Sequence, residues 1–352
     1  MFSNRVKNLI PYVPGEQPQD KAYIKLNTNE NPYPPSPHIE ALLKELNIEN
    51  LRLYPDPQFG DLRKAIGESH GVKSDQIFVG NGSDEVLSFV FYAFFDSADG
   101  PLLFPEFTYS FYPVYCEFYG IAYKKVPLAD NFSIQIDGFL GNDTSCGIVF
   151  PNPNAPTGIL ISVEEIARLL DAYPKNRVVV IDEAYIAFGG ESAMSLIQQY
   201  PNLLVVRTFS KSMALASARL GYAIGDQQLI EKLYTVKDSF NSYPVSMLAQ
   251  QIGAIAIKDK AYYDSITQKI VDAREYLSKE LTRLEWEVLP SKANFVFARK
   301  PGVEGRAIYA QLKDRGILVR YFDLDGIKDF VRITIGTRES LETLVSEIKA
   351  LF

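Results

Sequence analysis

The stretch Thr208-Phe-Ser-Lys-Ser-Met-Ala-Leu-Ala-Ser-Ala-Arg-Leu-Gly221 holds one lysine, Lys211, between two serines, and a run of small residues leads from it to Arg219. A lysine that must bond an aldehyde needs little bulk around it and polar neighbours to hold it. An arginine a short way along the chain is well placed to hold a phosphate on the same ligand. Taken singly, such a lysine is most often a surface residue and such an arginine an ion-pair partner.

An acidic residue closes a strand-like segment upstream. The sequence Val178-Val-Val-Ile-Asp-Glu-Ala-Tyr185 is apolar up to Asp182 and ends at Tyr185. A buried carboxylate needs a partner, although a helix cap or a salt bridge would serve as well as a ligand. Together with the lysine and the arginine, however, the acid suggests a pyridoxal phosphate (PLP) site. The acid would pair with the pyridinium nitrogen, the lysine with the aldehyde and the arginine with the phosphate.

Two loops extend this pattern. Gly80-Asn-Gly-Ser-Asp-Glu85 follows a short apolar run and opens a helix, so its N–H groups suit a phosphate, while an ordinary capped turn is the commoner alternative. Pro151-Asn-Pro-Asn-Ala-Pro-Thr-Gly158 is a stiff loop after a buried strand, or else only a rigid turn. Because each segment follows a strand of one sheet, we expect all of them to converge on one crevice.

Composition excludes several classes of protein. The net charge is −7, which gives no support to a nucleic-acid partner or to an anionic membrane surface. Cys116 and Cys146 are interpreted as free thiols of a reducing compartment. The first ten residues lack the apolar core of a signal peptide, and the densest apolar run, residues 89–95, is too short to span a bilayer. We therefore expect a cytoplasmic protein, and no residue pattern indicates a metal site.

The order of elements predicts an α/β fold. Continuous apolar runs, typical of a mostly parallel sheet covered by helices on both faces, lie at 101–104, 147–150, 177–181, 203–206 and 220–224. Helical spacing occurs at 41–46, 62–66, 84–95, 162–172, 227–233 and 244–283. Three further strands and a closing helix from residue 338 indicate a smaller α+β unit. We predict a large domain at 41–250, a small domain at 251–352, and an N-terminal arm, 1–40, that packs with the small domain.

Motifs along the whole chain carry a resemblance. The chain resembles the PLP-dependent aspartate-aminotransferase superfamily (fold type I), and more closely the family of histidinol-phosphate aminotransferases. The motifs are Leu26-Asn-Thr-Asn-Glu-Asn-Pro32, Tyr54-Pro-Asp56, Gly80-Asn-Gly-Ser-Asp-Glu85, Pro156-Thr-Gly158, Asp182-Glu-Ala-Tyr185, Arg207-Thr-Phe-Ser-Lys211, Arg219-Leu-Gly221 and Arg332-Ile-Thr-Ile-Gly-Thr-Arg338.

This resemblance implies a homodimer that uses PLP. It would exchange an amino group between glutamate/2-oxoglutarate and imidazole-acetol phosphate/histidinol phosphate in histidine biosynthesis. An aromatic or broad-specificity aminotransferase, a PLP-dependent threonine-phosphate decarboxylase and a non-catalytic sensor with the same fold are the alternatives. The intact Lys211, Asp182 and Arg219 argue against the sensor.

The resemblance also implies a role for each matching residue. Lys211 would bond PLP and later move a proton between the substrate Cα and C4′ of the cofactor. Asp182 would pair with the pyridinium nitrogen, and Tyr185 would hydrogen-bond the ring oxygen O3′. Tyr109 would stack on the ring, and Tyr54 would reach a phosphate in the other subunit. The expected phosphate cup consists of Gly82, Ser83, Asp84, Thr208, Ser210 and Arg219. The expected substrate-binding residues are Tyr12, Glu30, Asn241, Arg320 and Arg332.

One position departs from the family pattern. The family has an asparagine immediately before Pro-Thr-Gly that bonds O3′, and this chain has Ala155 there. Asn154, one residue earlier, is the nearest amide. Either Asn154 takes over the bond to O3′, or Asn154 only ties the turn together and Tyr185 holds O3′ alone.

Overall fold

The computed structural model describes residues 2–7, 9–141 and 144–352. Over these residues the strands are β1 (Ile24–Lys25), β2 (Ile77–Gly80), β3 (Leu102–Pro105), β4 (Tyr123–Val126), β5 (Gly147–Pro151), β6 (Val178–Asp182), β7 (Leu203–Thr208), β8 (Gly221–Gly225), β9 (Glu287–Val288), β10 (Phe295–Arg299), β11 (Ile317–Leu318), β12 (Arg320–Tyr321) and β13 (Val331–Thr334).

The helices of the same residues alternate with those strands through most of the chain. They are α1 (Asn4–Lys7), α2 (Pro37–Glu45), α3 (Gly60–His70), α4 (Gly82–Phe94), α5 (Phe111–Tyr119), α6 (Val163–Ala172), α7 (Gln227–Phe240), α8 (Met247–Lys258), α9 (Lys260–Arg283), α10 (Gly305–Asp314) and α11 (Arg338–Leu351). None of them is long and apolar enough to cross a bilayer, as far as the chain is described.

A seven-stranded sheet lies at the centre of the large unit, in the order β2-β8-β7-β6-β5-β3-β4. Neighbouring strands from β7 to β4 run parallel, which confirms the predicted fold class. The strand predicted at 220–224 was wrongly placed among the parallel ones, because β8 pairs antiparallel with both β2 and β7. Residues 209–220 join β7 to β8 without a crossover helix, so β8 returns alongside its predecessor.

Helices cover both faces of this sheet, and that explains the continuous apolar runs. In β5, Ile148 and Phe150 lie in a core with α3, α6 and α8. Val149, between them, lies in a second core with α4, α5 and α7. Successive side chains of a strand point to opposite faces, so a strand buried on both faces must be apolar at every position.

The small unit is built on an antiparallel sheet in the order β12-β13-β10-β9. The N-terminal segment joins it, since β1 pairs in parallel with β11. The helix predicted at 244–283 is two helices separated at Asp259, whose side chain caps α9 by accepting from the Tyr262 N–H. Helix α9 belongs to both units: Ile266 packs in the large core and Ile270 in the small one.

Helix α9 is therefore shared between the two clusters of packed side chains, and the predicted boundary at residue 250 stays a prediction. The predicted arm, 1–40, includes residues 1 and 8, which lie outside the described residues. Within the rest of the arm, β1 joins the small unit, while Ile39 packs against the core of the large unit. The arm thus bridges the two units and frames the cleft between them.

Candidate active site

The loops that follow the sheet strands meet at a cleft of two adjoining cavities, one of ≈ 480 Å³ and a narrower one of ≈ 190 Å³. The walls that the two cavities share are formed by Thr28, Asp84, Tyr109, Ala155, Tyr185, Lys211 and Arg219. These residues come from the arm, the start of α4, the segments that follow β3, β5, β6 and β7, and the position just before β8. The loops thus converge on one crevice, as predicted, at the edge of the sheet where the carboxyl ends of its parallel strands lie.

Lys211 lies in the turn after β7 and faces both cavities. Its Nζ donates a long hydrogen bond of 3.3 Å to the Thr28 carbonyl and lies 5.9 Å from the centre of the Tyr185 ring. A single long bond to a backbone oxygen leaves two of the three ammonium donors to other partners. The amine can therefore reach into the cleft.

Asp182 ends β6 in the narrower cavity and is only 4% exposed. Its Oδ2 accepts from the Tyr112 hydroxyl at 3.2 Å, and its Oδ1 accepts from the Ala184 N–H at 3.1 Å. No cation is among these contacts in the described chain. Burial raises the pKa of Asp182 to about 7, because the charged carboxylate loses its hydration without gaining a positive partner. Among the described residues no cation partners this carboxylate, so the site can accept one from a ligand.

Tyr185 follows β6 and its ring lines both cavities. The ring packs edge-on against Phe295 of β10, with 5.1 Å between the ring centres. Its hydroxyl accepts a hydrogen bond of 3.0 Å from Nδ2 of Asn29. The small unit and the arm together thus set the position of this tyrosine.

The start of α4 and Arg219 form an anion cradle. Gly82 has φ 85°, and a Cβ there would lie 2.5 Å from Nη2 of Arg219. A Cβ at Gly221 would lie 2.3 Å from the Ser83 backbone nitrogen. Both positions require glycine, because a side chain at Gly82 would collide with the guanidinium and one at Gly221 would collide with the start of α4. A guanidinium beside a helix N-terminus suits a phosphate.

The remaining predicted cup residues border the same cradle. Asp84 accepts from Nη2 of Arg219 at 3.0 Å and from the Tyr109 hydroxyl at 2.8 Å, which holds both side chains at the cleft wall. Thr208 and Ser210 line the narrower cavity, and the Thr208 hydroxyl accepts from the Ser210 N–H at 3.1 Å.

Two arginines of the small unit line only the wider cavity. Arg320 and Arg332 are register partners on β12 and β13. Arg320 donates to the carbonyls of Val13 and Pro14, and Nη2 of Arg332 donates to the Asn27 carbonyl at 3.1 Å. Burial lowers the pKa of Arg332, and its buried Nε has no hydrogen-bond partner in the described part of the chain. An unsatisfied guanidinium beside a second one favours an anionic ligand.

The other predicted substrate residues are divided between the cleft and the surface. Tyr12 lines the wider cavity and Glu30 the narrower one, where Glu30 is paired with Lys25 at 2.7 Å. Asn241 and Tyr54 are exposed and lie outside the cleft of their own chain. Within one chain, therefore, Tyr12 shares the wider cavity with the two arginines, and Glu30 borders the adjoining cavity.

Asn154 is fully buried but does not line the cleft, whereas Ala155 does. The Nδ2 of Asn154 donates to the Phe107 carbonyl at 2.9 Å and to the Thr157 hydroxyl at 3.2 Å. Its backbone carbonyl accepts from the Gly158 N–H. Of the two alternatives, these contacts favour an asparagine that ties the turn together.

Sequence reasoning gave no role to three residues that the cleft uses. Asn29 bonds Tyr185, Thr28 bonds Lys211, and Tyr112 bonds Asp182. Asn29 and Thr28 lie inside the quoted motif of residues 26–32, so position within that motif was the available signal. Nothing in the local sequence distinguishes Tyr112 from the other aromatic residues of α5.

This sheet, its edge cleft and the lysine between an acid and an arginine are the features of a fold type I PLP enzyme. Residues 21–348 match the family described as aminotransferase class I and II. The chain belongs to that family.

Comparison with individual proteins narrows the relationship. The chain is 59% identical to a histidinol-phosphate aminotransferase of Syntrophus aciditrophicus, over 100% of this chain and 98% of that protein. The crystal structure of a histidinol-phosphate aminotransferase from Sinorhizobium meliloti in complex with pyridoxal-5′-phosphate has a TM-score of 0.89 at 24% identity, covering 100% and 98% of the two chains. The L-threonine-O-3-phosphate decarboxylase of Porphyromonas gingivalis has a TM-score of 0.78 at 21% identity, covering 93% and 99%. The two crystal structures show that an aminotransferase and a decarboxylase share this fold. The 59% identity to the Syntrophus protein is well above the 24% and 21% identity to the two crystal structures. The family resemblance expected from the motifs is confirmed.

The residues present fit the PLP of this family. The glycine-lined cradle at Arg219 matches a phosphate, and Lys211 is free to bond an aldehyde. The raised pKa of Asp182 reflects a buried carboxylate without a cation, which a pyridinium nitrogen would supply. The cofactor's phosphate and its ring nitrogen would thus each meet a side chain of opposite charge, Arg219 and Asp182 respectively.

Proposed function

We propose that the protein transfers an amino group between glutamate/2-oxoglutarate and imidazole-acetol phosphate/histidinol phosphate, as in histidine biosynthesis. The observation that carries the proposal is a second anion site in the same cleft. Arg219 borders both cavities, but Arg320 and Arg332 line only the wider one. One phosphate would be held by the cradle at Arg219, and a second by the arginine pair. The 59% identical relative, itself a histidinol-phosphate aminotransferase, supports the same substrate.

The chain's own residues would divide the work. PLP, when bound, supplies an aldehyde for the amino group and a ring that accepts electrons from the substrate carbon. Lys211 would take a proton from the substrate Cα and deliver it to C4′ of the cofactor. Asp182 would keep the ring nitrogen protonated, and Tyr185 would donate to O3′. Arg320 and Arg332 would fix the far end of the substrate, so that its Cα–H faces the lysine amine.

A half-reaction screen tests this function. The PLP-loaded protein is mixed with one amino donor at a time, and the spectrum is followed for conversion to the pyridoxamine form. We expect conversion by histidinol phosphate and by glutamate. Histidinol should react at least about 10²-fold less efficiently, because its binding leaves the guanidinium groups of Arg320 and Arg332 without an anion. Equal efficiency of histidinol and histidinol phosphate would refute the phosphate assignment, and a preference for phenylalanine or tyrosine would favour the aromatic aminotransferase.

The proposed active unit is a homodimer. Exposed apolar side chains cluster at residues 43–54 and at 240–243, and Tyr54 is 82% exposed with its ring stacked on Tyr243 at 4.7 Å. A large exposed apolar surface is typical of an interface, and two-fold pairing is the commonest arrangement of identical chains. In such a dimer Tyr54 and Asn241, which lie outside their own cleft, would serve the partner's site.

Mixed dimers test the exchange of Tyr54. Lys211→Ala chains should be inactive, and Tyr54→Phe chains should be inactive or weak. When equal amounts of the two chains are refolded together, half of the dimers should be mixed. Each mixed dimer has one complete site of its two, so activity should rise to roughly a quarter of the wild-type value. A matched mixture of Lys211→Ala with Tyr92→Phe, another exposed tyrosine, should keep roughly half of the wild-type activity whether or not the chains mix, because every Tyr92→Phe chain retains a complete site. No gain with Tyr54→Phe, or a fully active monomer on dilution, would contradict the dimer.

We also propose a cytoplasmic location. Cys116 and Cys146 are both buried free thiols, which is compatible with a reducing compartment.

A further inference from the structure

Asn29 occupies a constrained position between the two units. It is 1% exposed and has φ 57°, a left-handed conformation that asparagine tolerates better than most residues. Its backbone N–H donates to the Thr334 hydroxyl at 2.9 Å, and its carbonyl accepts from Nδ2 of Asn294 at 3.0 Å. Strands and loops of the small unit therefore hold this one residue of the arm in place.

The Asn29 side chain connects that anchor to the cleft. Its Oδ1 accepts from the Thr334 hydroxyl at 3.0 Å, and its Nδ2 donates to the Tyr185 hydroxyl at 3.0 Å. Rotating the amide by half a turn would take the acceptor away from the Thr334 proton. The observed orientation satisfies both hydroxyls, so Tyr185 receives a hydrogen bond and keeps its own proton for another acceptor.

The neighbouring residues lead to the same place. The Asn27 carbonyl accepts from Arg332, and the Thr28 carbonyl accepts from Lys211. Three consecutive residues thus contact the arginine, the lysine and the tyrosine of the cleft. Among the three, Asn29 is the one whose side chain bonds Tyr185.

The departure at Ala155 gives this contact its importance. Ala155 lines the cleft where the family pattern has an amide, and Asn154 is turned toward Phe107 and Thr157. Tyr185 is then the remaining candidate to donate to O3′ from this side of the cleft. We propose that Asn29 is a positioning residue that aims the Tyr185 proton at O3′ and so compensates for the missing amide at residue 155. This inference rests on the PLP site of the proposed function but not on the identity of the substrate.

The test is a double-mutant cycle of Asn29→Gly and Tyr185→Phe, with Ala155→Asn as the rescue. Glycine accepts φ 57° without strain, so it removes the side chain and spares the backbone. The first readout is the pH midpoint of the bound cofactor's absorption spectrum. The second is the dissociation constant of PLP. Both are measured without any substrate, so a wrong amino donor would leave them unaffected.

Losing a donor to O3′ raises the proton affinity of the cofactor–lysine bond, so the midpoint moves to higher pH. For Asn29→Gly we expect a rise of roughly 0.5 to 1 pH unit and several-fold weaker PLP binding, as for one lost hydrogen bond. In the Tyr185→Phe background the same change should have no effect on the midpoint. Adding Ala155→Asn to Asn29→Gly should bring the midpoint most of the way back to the wild-type value. Thermal melting of the cofactor-free proteins gives the purely structural cost, which should be smaller in the Tyr185→Phe background, where the hydrogen bond from Asn29 is already lost.

Asn29→Asp provides a second variant should the glycine protein not fold. Aspartate also tolerates the left-handed conformation, but its carboxylate can only accept, so it draws the Tyr185 proton away from the cleft. The upward shift of the spectral midpoint caused by Asn29→Asp should be larger when Tyr185 is present than in the Tyr185→Phe background. Shifts of equal size in both backgrounds, or no shift in either Asn29 variant, would overturn the proposal.

Discussion

Lys211→Ala is expected to lower kcat by at least roughly 10⁴-fold, because it removes both the covalent anchor and the proton carrier of the site. The structure gives no obvious substitute: Lys211 is the lysine that borders both cavities of the cleft, and its amine is bound only to the Thr28 carbonyl among the described contacts. The visible band of the cofactor–lysine bond should disappear as well.

Lys44→Ala is the matched control, since Lys44 is 73% exposed and paired with Glu40 on the surface of α2. It should retain full activity and spectrum. Borohydride reduction of the wild-type protein followed by peptide mapping should label Lys211. A label on any other lysine would show that the assignment of the cofactor anchor is wrong.

Asp182→Asn should have opposite effects on catalysis and on the stability of the cofactor-free protein. In the loaded enzyme it removes the anion beside the ring nitrogen, and kcat should fall by roughly 10²- to 10³-fold, as for a buried ion pair that loses one partner. In the cofactor-free protein the same carboxylate destabilises the folded state at neutral pH, because burial raises its pKa from 3.8 to about 7.

The sign of the pH effect follows from that shift. Between about pH 4 and 7 the unfolded chain releases a proton from Asp182 that the folded chain retains, so folding stability falls as pH rises through this window. Wild-type protein without PLP should lose about 4 kcal/mol of unfolding free energy relative to Asp182→Asn from pH 4 to pH 8, at 1.36 kcal/mol per pKa unit.

Denaturant unfolding at a series of pH values measures this difference. Asp264→Asn, a 63% exposed acid on α9, serves as the control and should show no such divergence from wild type. Saturation with PLP should reduce the loss, because the pyridinium then partners the carboxylate. Parallel pH curves for wild type and Asp182→Asn would contradict a carboxylate held without a cation.

Much of the cleft was predictable because its residues sit where strands end. Asp182, Lys211 and Gly82 each follow an apolar run, and parallel strands bring their carboxyl ends to one edge. The direction of β8 was not predictable from its apolar pattern, since a strand buried on both faces has the same composition in either direction. Strand β4 was missed because it is an edge strand with exposed lysines at 124 and 125.

The contacts of Asn29 could not be read from the sequence. Its partner Thr334 lies 305 residues away, and the two meet only because β1 joins the small unit. The same holds for Asn154, whose turn could have faced either the cleft or its own backbone. Long-range packing decides how such side chains are oriented, and the local sequence pattern does not predict it.

The central claim is the substrate pair, and the overall reaction tests it most directly. Purified protein is incubated with PLP, imidazole-acetol phosphate and glutamate, and the products are identified and quantified. We expect histidinol phosphate and 2-oxoglutarate in equal amounts, with no release of CO₂, and loss of both products with Lys211→Ala. Failure to aminate imidazole-acetol phosphate, together with stoichiometric CO₂ release from threonine phosphate, would contradict the account and identify a decarboxylase instead.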